Sequence, residues 1–177
     1  MISEKEITQE LKNELQQLPY VYAFWLEGSF AMGYEDEYSD IDYWIDVEDD
    51  YVKEALEHVE MALLRLGELD ERDERGNQHP KLGQIVYHIK DSNPYLVLDF
   101  NWQLHSRDRN EYHYMQNDIV EGIKILFDKD NVIRFDSVDT SEIIRNRNQC
   151  KEECDYRYSQ HFRVEKYIRR KNFLESY

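Results

Sequence analysis

An apolar strand that ends at Gly-Ser and is followed by an alternating acidic segment is the feature that most restricts the folds open to this 177-residue chain. Residues 20–26 are aromatic or aliphatic, and Gly28-Ser29 follow after one glutamate. After ten intervening residues, Asp40 and Asp42 alternate with apolar side chains. Because successive side chains of a strand point to opposite faces, the second segment predicts a strand with carboxylates on one face.

Apolar periodicity elsewhere in the first half of the chain predicts two amphipathic helices. Ser3 and Glu6 have the spacing of a capping box, and apolar residues then recur along one helical face until Pro19 forbids continuation. This pattern predicts a first helix over residues 3–18. Apolar residues recur at helical spacing again over residues 52–66, which predicts a second helix there.

The middle of the chain predicts a hairpin. Residues 68–81 are mostly charged and are expected to form a loop. Residues 84–89 and 95–101 are strand-like, and the turn signal Asp-Ser-Asn-Pro separates them. A helix is predicted near residues 111–121, before an apolar run at 123–127.

The last part of the chain has the composition of a helix. Asp139 and Glu142 have cap spacing, and residues 141–175 contain neither Gly nor Pro. We therefore expect a C-terminal helical segment over residues 139–177. The preceding elements predict an α+β domain over residues 1–138, with a small mixed or antiparallel sheet and helices packed on one face.

The strong negative charge of the chain limits its partners. The formal net charge is -16, which repels nucleic-acid phosphates and argues against general nucleic-acid binding. A cationic small molecule would be attracted instead. The sequence contains no apolar run long enough to cross a membrane or to resemble a signal peptide, so we expect a cytoplasmic protein.

Three carboxylates are candidates for binding a divalent metal ion. A strand places Asp40 and Asp42 on one face about 6–7 Å apart, where they can share a pair of Mg²⁺ ions. Asp99 lies in an otherwise apolar strand-like run. A buried charge there must be paired, neutralised or bound to a metal, and a strand beside Asp42 would complete a cluster of three.

Gly28 and Ser29 are candidates for binding a polyphosphate. Glycine allows backbone N–H groups to approach a phosphate closely, and a serine at the start of a short helix adds a hydroxyl and the positive end of the helix dipole. Taken alone, a Gly-Ser pair is commonly a simple turn, and an Asp-x-Asp triplet in an acidic chain is commonly a solvated strand. The order and spacing of the whole set favour a functional site.

This combination resembles the signature of the DNA polymerase β-like nucleotidyltransferase superfamily. The details Gly-Ser-x-Ala-x-Gly and Ser-Asp-Ile-Asp are similar to those of its small bacterial branch, which includes aminoglycoside adenylyltransferases and minimal nucleotidyltransferases of toxin–antitoxin pairs. The resemblance implies that Asp40 and Asp42 bind two Mg²⁺ ions and that Asp99 is a third ligand or the acceptor base. It also implies that Gly28 and Ser29 hold the triphosphate.

Two functions follow from the resemblance and stay open. In the first, the protein transfers a nucleoside monophosphate, AMP from ATP or that of another nucleoside triphosphate, to a hydroxyl of a small cationic acceptor. An aminoglycoside acceptor would make it an antibiotic-resistance enzyme. In the second, it is a toxin–antitoxin nucleotidyltransferase whose C-terminal helix binds a partner protein or a second copy of the chain.

Other polar residues have weaker claims on the site. Glu27 could assist as a base or could face solvent. The basic cluster from Lys166 to Lys171, which includes Arg169, could reach nucleotide phosphates if the last helix folds back over the cleft, although a solvated helix end favoured by the helix dipole explains it more readily. The six histidines show no metal-ligand spacing, and none is assigned a role.

Overall fold

The computed structural model describes residues 2–76, 79–111, 114–115 and 122–136, together with Arg145, Lys151 and Arg169. The chain divides into two units, residues 1–136 and 137–177. In the second unit the three described residues are helical and exposed. The rest of the predicted helical segment 139–177 lies outside the described residues.

The first unit is built on a six-stranded sheet with the strand order β3-β4-β5-β2-β1-β7. Neighbouring strands are antiparallel except for β2 and β5, which are parallel, so the sheet is mixed. The short strands β6 and β8 pair separately in parallel. The strands are β1 (Val21–Glu27), β2 (Ile41–Val47), β3 (Leu69–Arg75), β4 (Leu82–Ile89), β5 (Leu98–Leu104), β6 (Tyr114–Met115), β7 (Lys124–Asp128) and β8 (Phe135–Asp136).

In the described part of the first unit, three α-helices accompany the sheet: α1 (Glu4–Leu15), α2 (Gly28–Met32) and α3 (Val52–Leu66), the last preceded by a 3-10 turn at Asp49–Tyr51. The predicted capping box begins α1, where the Ser3 N–H donates to Glu6 Oε2 at 2.9 Å and the Glu6 N–H donates to Ser3 Oγ at 3.4 Å. The helix ends three residues earlier than predicted. Gln16, Gln17 and Leu18 continue as a turn before Pro19.

The two long helices cover one face of the sheet. Buried residues of α1 and α3, such as Leu11 and Leu63, share one apolar cluster with Phe24, Tyr43 and Phe100 of three strands. Because side chains alternate along a strand, Asp42 and Asp99 point to the opposite face. That face carries a separate, smaller cluster that includes Ala23, Trp25, Val132 and Ile133. The α+β fold with helices on one face is therefore confirmed.

Some predicted elements in the middle of the chain were wrong or displaced. Residues 68–81 are not a loop, because β3 occupies Leu69–Arg75 at the edge of the sheet. The predicted hairpin is confirmed by antiparallel β4 and β5, although β5 begins at Leu98 and not at residue 95. Within the helix predicted near 111–121, Tyr114–Met115 form a strand. The sequence pattern did not predict β3 because its side chains are mostly charged and exposed, so apolar and polar residues do not alternate along it.

None of the described helices has the length and apolar character needed to cross a membrane. The longest, α3, has 15 residues and carries charged side chains along one side. Such a helix is amphipathic, and its apolar side packs on the sheet.

Candidate active site

Three carboxylates converge at one end of the parallel strand pair. Asp40 immediately precedes β2, Asp42 lies within it, and Asp99 is the direct neighbour of Asp42 on β5. One carboxylate oxygen from each residue lies within 4.8 Å of those of the other two. The structure thus brings together the three acidic residues that the sequence singled out.

Burial and the repulsion of neighbouring carboxylates disfavour the charged forms of Asp42 and Asp99, two members of this carboxylate triad. The pKa of Asp42 is raised to about 6, first by burial and then by the negative charges of Asp40, Asp99 and Glu27. Burial and Asp40 also raise the pKa of Asp99, against the opposing effect of Arg75. A divalent cation would remove this repulsion, and carboxylate oxygens are the donors that Mg²⁺ prefers. The donor set therefore fits a magnesium site.

Gly28 is required by the position of the Asp42 carboxylate. Its φ is +66°, in the left-handed region that favours glycine. A Cβ atom at this position would lie 2.2 Å from Asp42 Oδ2, far inside van der Waals contact. Gly28 and Ser29 are the first two residues of α2, so a short helix begins beside Asp42, as the phosphate-binding interpretation expected.

Glu27 of β1, Asp42 of β2 and Asp99 of β5 are paired across neighbouring strands of the sheet. Glu27 is the cross-strand neighbour of Asp42, and its Oε1 accepts a hydrogen bond from Trp25 Nε1 at 3.0 Å. The hydroxyl of Tyr114 donates to the same oxygen. No pattern in the sequence indicates Tyr114, which lies 87 residues from Glu27 in a segment predicted as helix. Glu27 is thus held in place beside the carboxylate triad.

A second polar network lies farther along β2, about 13 Å from Asp42 at the usual rise of a strand. Asp46 is 2% exposed, and it accepts hydrogen bonds from Gln103 Nε2 at 2.7 Å and His105 Nδ1 at 2.6 Å. Burial raises the pKa of Asp46, while the hydrogen bonds from His105 and Gln103 act in the opposite direction. His105 Nε2 also lies 3.4 Å from Asp130 Oδ2. This network connects the ends of β2, β5 and β7. No spacing of residues in the sequence indicated it.

The basic cluster of the C-terminal segment has no described geometry at the site. Arg169 is helical and exposed. Its neighbours Lys166, Arg170 and Lys171 lie outside the described residues, so a contact of this cluster with nucleotide phosphates stays a prediction.

The sequence of the first unit matches a known protein family. Residues 8–100, more than half of the chain, match the family described as the nucleotidyltransferase domain. No curated protein sequence matches. Among solved structures, one with MgGTP bound, described as Cid1 poly(U) polymerase, is 16% identical with a TM-score of 0.36. The match covers 60% of this chain and 34% of that one, so this chain spans about a third of the polymerase chain. The chain belongs to the nucleotidyltransferase domain family, of the DNA polymerase β-like superfamily.

Proposed function

We propose that this protein transfers a nucleoside monophosphate from a nucleoside triphosphate to a hydroxyl of a small cationic acceptor, in a reaction that depends on Mg²⁺. The observation that carries the proposal is the convergence of Asp40, Asp42 and Asp99 beside the first turn of α2. The resemblance in sequence makes ATP the expected donor and AMP the transferred group. The net charge of -16 favours a cationic acceptor.

The carboxylate triad is the proposed metal site. Asp40 and Asp42 would hold two Mg²⁺ ions, and Asp99 would be a third ligand or would accept the proton of the acceptor hydroxyl. When bound, Mg²⁺ neutralises charge on the phosphates and on the attacking oxygen. The raised pKa values of Asp42 and Asp99 agree with this assignment, because buried carboxylates that repel one another are stabilised in their charged form when a cation binds between them.

The start of α2 is the proposed site for the triphosphate. The first N–H groups of a helix have no acceptor within the helix, so they can donate to phosphate oxygens. Gly28 lacks a side chain that would block this approach, and Ser29 adds a hydroxyl donor. Gly33 ends the helix with φ +75°, and its N–H donates to the Ser29 carbonyl at 2.9 Å. This bond fixes the short turn that presents the donors.

The reaction itself is an in-line displacement at the α-phosphorus. The acceptor oxygen forms a bond to this phosphorus as the bond to the bridging oxygen breaks, and pyrophosphate leaves. The hydroxyl proton passes to a carboxylate of the site, for which Asp99 is the candidate. The residues of this chain contribute mainly by positioning the reactants and by placing charges where the transition state needs them.

The test is pyrophosphate release with each of the four common nucleoside triphosphates, Mg²⁺ and a panel of aminoglycoside acceptors. We expect turnover with at least one pair of donor and acceptor. Asp42→Asn should lower kcat/KM by at least about 100-fold, because the substitution removes a metal ligand without changing the shape of the side chain. Asp50→Asn is the matched control, since it removes the same charge from the exposed 3-10 turn.

Two outcomes would contradict the proposal. Asp42→Asn with turnover near that of the natural protein would refute the metal assignment. A complete lack of pyrophosphate release with every donor and every aminoglycoside, together with a protein that co-purifies with the chain, would refute transfer to this class of acceptor. It would favour the alternative of a toxin–antitoxin nucleotidyltransferase that binds a partner protein.

A further inference from the structure

We propose that Tyr38 and Tyr95 form an aromatic corner that binds an ammonium group of the acceptor beside the carboxylate triad. The inference rests on the proposed function for the nature of the reaction. It adds the chemical group by which the acceptor is recognised and the side chains that recognise it.

The two tyrosines are exposed and in contact with each other. Tyr38 is 61% exposed and Tyr95 is 53% exposed, so more than half of each residue is open to solvent. Their ring centroids are 5.0 Å apart, and the ring planes meet at 67°. The rings therefore meet edge to face, and the ring surfaces outside this contact are proposed as the two walls of the corner.

The aromatic corner lies where the two strands of the triad begin. Tyr38 is two residues before Asp40, and Tyr95 is four residues before Asp99. The two segments join at this point, since the Ile41 N–H donates to the Val97 carbonyl at 2.8 Å. A molecule held in the corner would thus lie at the same end of β2 and β5 as the carboxylates that would act on its hydroxyl.

Hydrogen bonds hold the two loops of the corner in place. Asn93 Nδ2 donates to the Glu37 carbonyl at 2.8 Å and so connects the loops. Within them, the Tyr38 N–H donates to Asp36 Oδ1 at 3.0 Å and the Tyr95 N–H donates to Asn93 Oδ1 at 3.1 Å. The rings are thus carried on fixed backbone, which lowers the entropy lost when a ligand binds.

Charge complementarity selects a cation as the occupant. Residues 33–39 contain Glu35, Asp36 and Glu37 and no lysine or arginine, and none of these three carboxylates belongs to the proposed metal site. An anionic or neutral ligand would gain nothing from this charge, whereas an ammonium group is attracted by the carboxylates and by the faces of the tyrosine rings. Both features together favour an acceptor that carries at least one ammonium group next to its reactive hydroxyl.

The experiment measures binding of spermidine by equilibrium dialysis of the full chain, with saturating Mg²⁺ and at physiological salt. The neutral 1,8-octanediol, of the same length, is the matched ligand. We expect spermidine to bind more tightly than the diol. Tyr38→Leu and Tyr95→Leu should each weaken spermidine binding by about two- to fivefold, and the double variant by about fivefold or more.

Two controls separate the aromatic corner from general attraction to an acidic surface. Tyr34→Leu removes a ring that is 60% exposed at the start of the same loop, and it should change spermidine binding by less than about twofold. Tyr38→Phe and Tyr95→Phe keep the ring faces and should bind spermidine like the natural protein. Equal losses in the Tyr34→Leu and double variants, or no loss in the double variant, would overturn the proposal.

The dialysis contains no nucleotide, so its result does not depend on turnover. If the double variant loses spermidine binding but the natural protein transfers no nucleotide, the proposal of the aromatic corner stands and the proposed function is refuted. If the natural protein transfers nucleotide to a neutral acceptor and the double variant does so at the same rate, the proposed function stands and the proposal of the aromatic corner is refuted.

Discussion

Replacement of Gly28 by alanine tests whether the glycine exists to make room for Asp42. The new Cβ atom would lie 2.2 Å from Asp42 Oδ2, and real Cβ atoms essentially never come closer than 3.0 Å to such a neighbour. Either the carboxylate or the backbone must therefore move by about 0.8 Å, the difference between these two distances. The displacement falls on a residue of the carboxylate triad.

Gly33→Ala is the matched control for the cost of the backbone. Gly33 has φ +75°, close to the +66° of Gly28, but a Cβ there would have nothing within 4 Å. Both variants should lose about 1–2 kcal/mol of stability from the left-handed backbone alone. Gly28→Ala should lose up to about 3 kcal/mol more if Asp42 stays in place, and less if Asp42 rotates away. In a chain of this size each kcal/mol lowers Tm by about 2–4 °C.

Function should separate the two variants more clearly than stability does. A shift of nearly 1 Å at a reacting group can reduce the rate by about 100-fold, and displaced ligands weaken metal binding by about 10- to 100-fold. We expect Gly28→Ala to show both losses in pyrophosphate release and in Mn²⁺ binding measured by water-proton relaxation. Gly33→Ala should keep the Mn²⁺ affinity. Equal Mn²⁺ affinities in the two variants would refute the reasoning.

Further predictions concern titration and buried polar contacts. The fold raises the pKa of Asp42 to about 6, so its stabilising effect is complete below about pH 4 and is lost as pH rises through 6. At pH 7.5 in the presence of a chelator, Asp42→Asn should therefore be more stable than the natural protein by about 1 kcal/mol, after allowance for solvent screening. Thermal melts should show that this gain in stability vanishes near pH 4. His105→Ala should cost about 1–3 kcal/mol by denaturant unfolding, because it leaves the buried Asp46 Oδ1 without its hydrogen-bond partner. Lys53→Ala, at an exposed ion pair, should cost less than about 0.5 kcal/mol, and similar costs in the two variants would contradict this assignment. Tyr43→Phe should lose about 1 kcal/mol, or 2–4 °C in Tm, because its hydroxyl forms a buried 2.7 Å hydrogen bond with Thr8, and an unchanged Tm would refute this.

Local sequence patterns were sufficient for the elements that carry the candidate site. The capping box at Ser3, the apolar strand before Gly28 and the alternation around Asp42 each depend on neighbours in the sequence, and each predicted the element that forms. The sequence could also single out Asp99, because a charge within an apolar run needs a partner. These patterns led to the carboxylate triad before any pairing of strands was known.

Long-range pairing could not be predicted in the same way. The sequence does not encode locally that β2 and β5 are parallel neighbours with Asp42 opposite Asp99. The bond from Tyr114 to Glu27 spans 87 residues, and that from His105 to Asp46 spans 59. Strand β3 was missed for another reason: at a sheet edge its charged side chains face solvent and hide the usual alternation.

The most direct test of the metal site is a crystal structure of the protein with Mn²⁺ and a non-hydrolysable ATP analogue. Mn²⁺ is located by its anomalous scattering. We expect it at coordination distance, about 2.1 Å as for Mg²⁺, from oxygens of Asp40, Asp42 and Asp99, with the triphosphate against the first turn of α2. Anomalous peaks away from these carboxylates, or an Asp99 side chain turned away from the other two, would contradict the account.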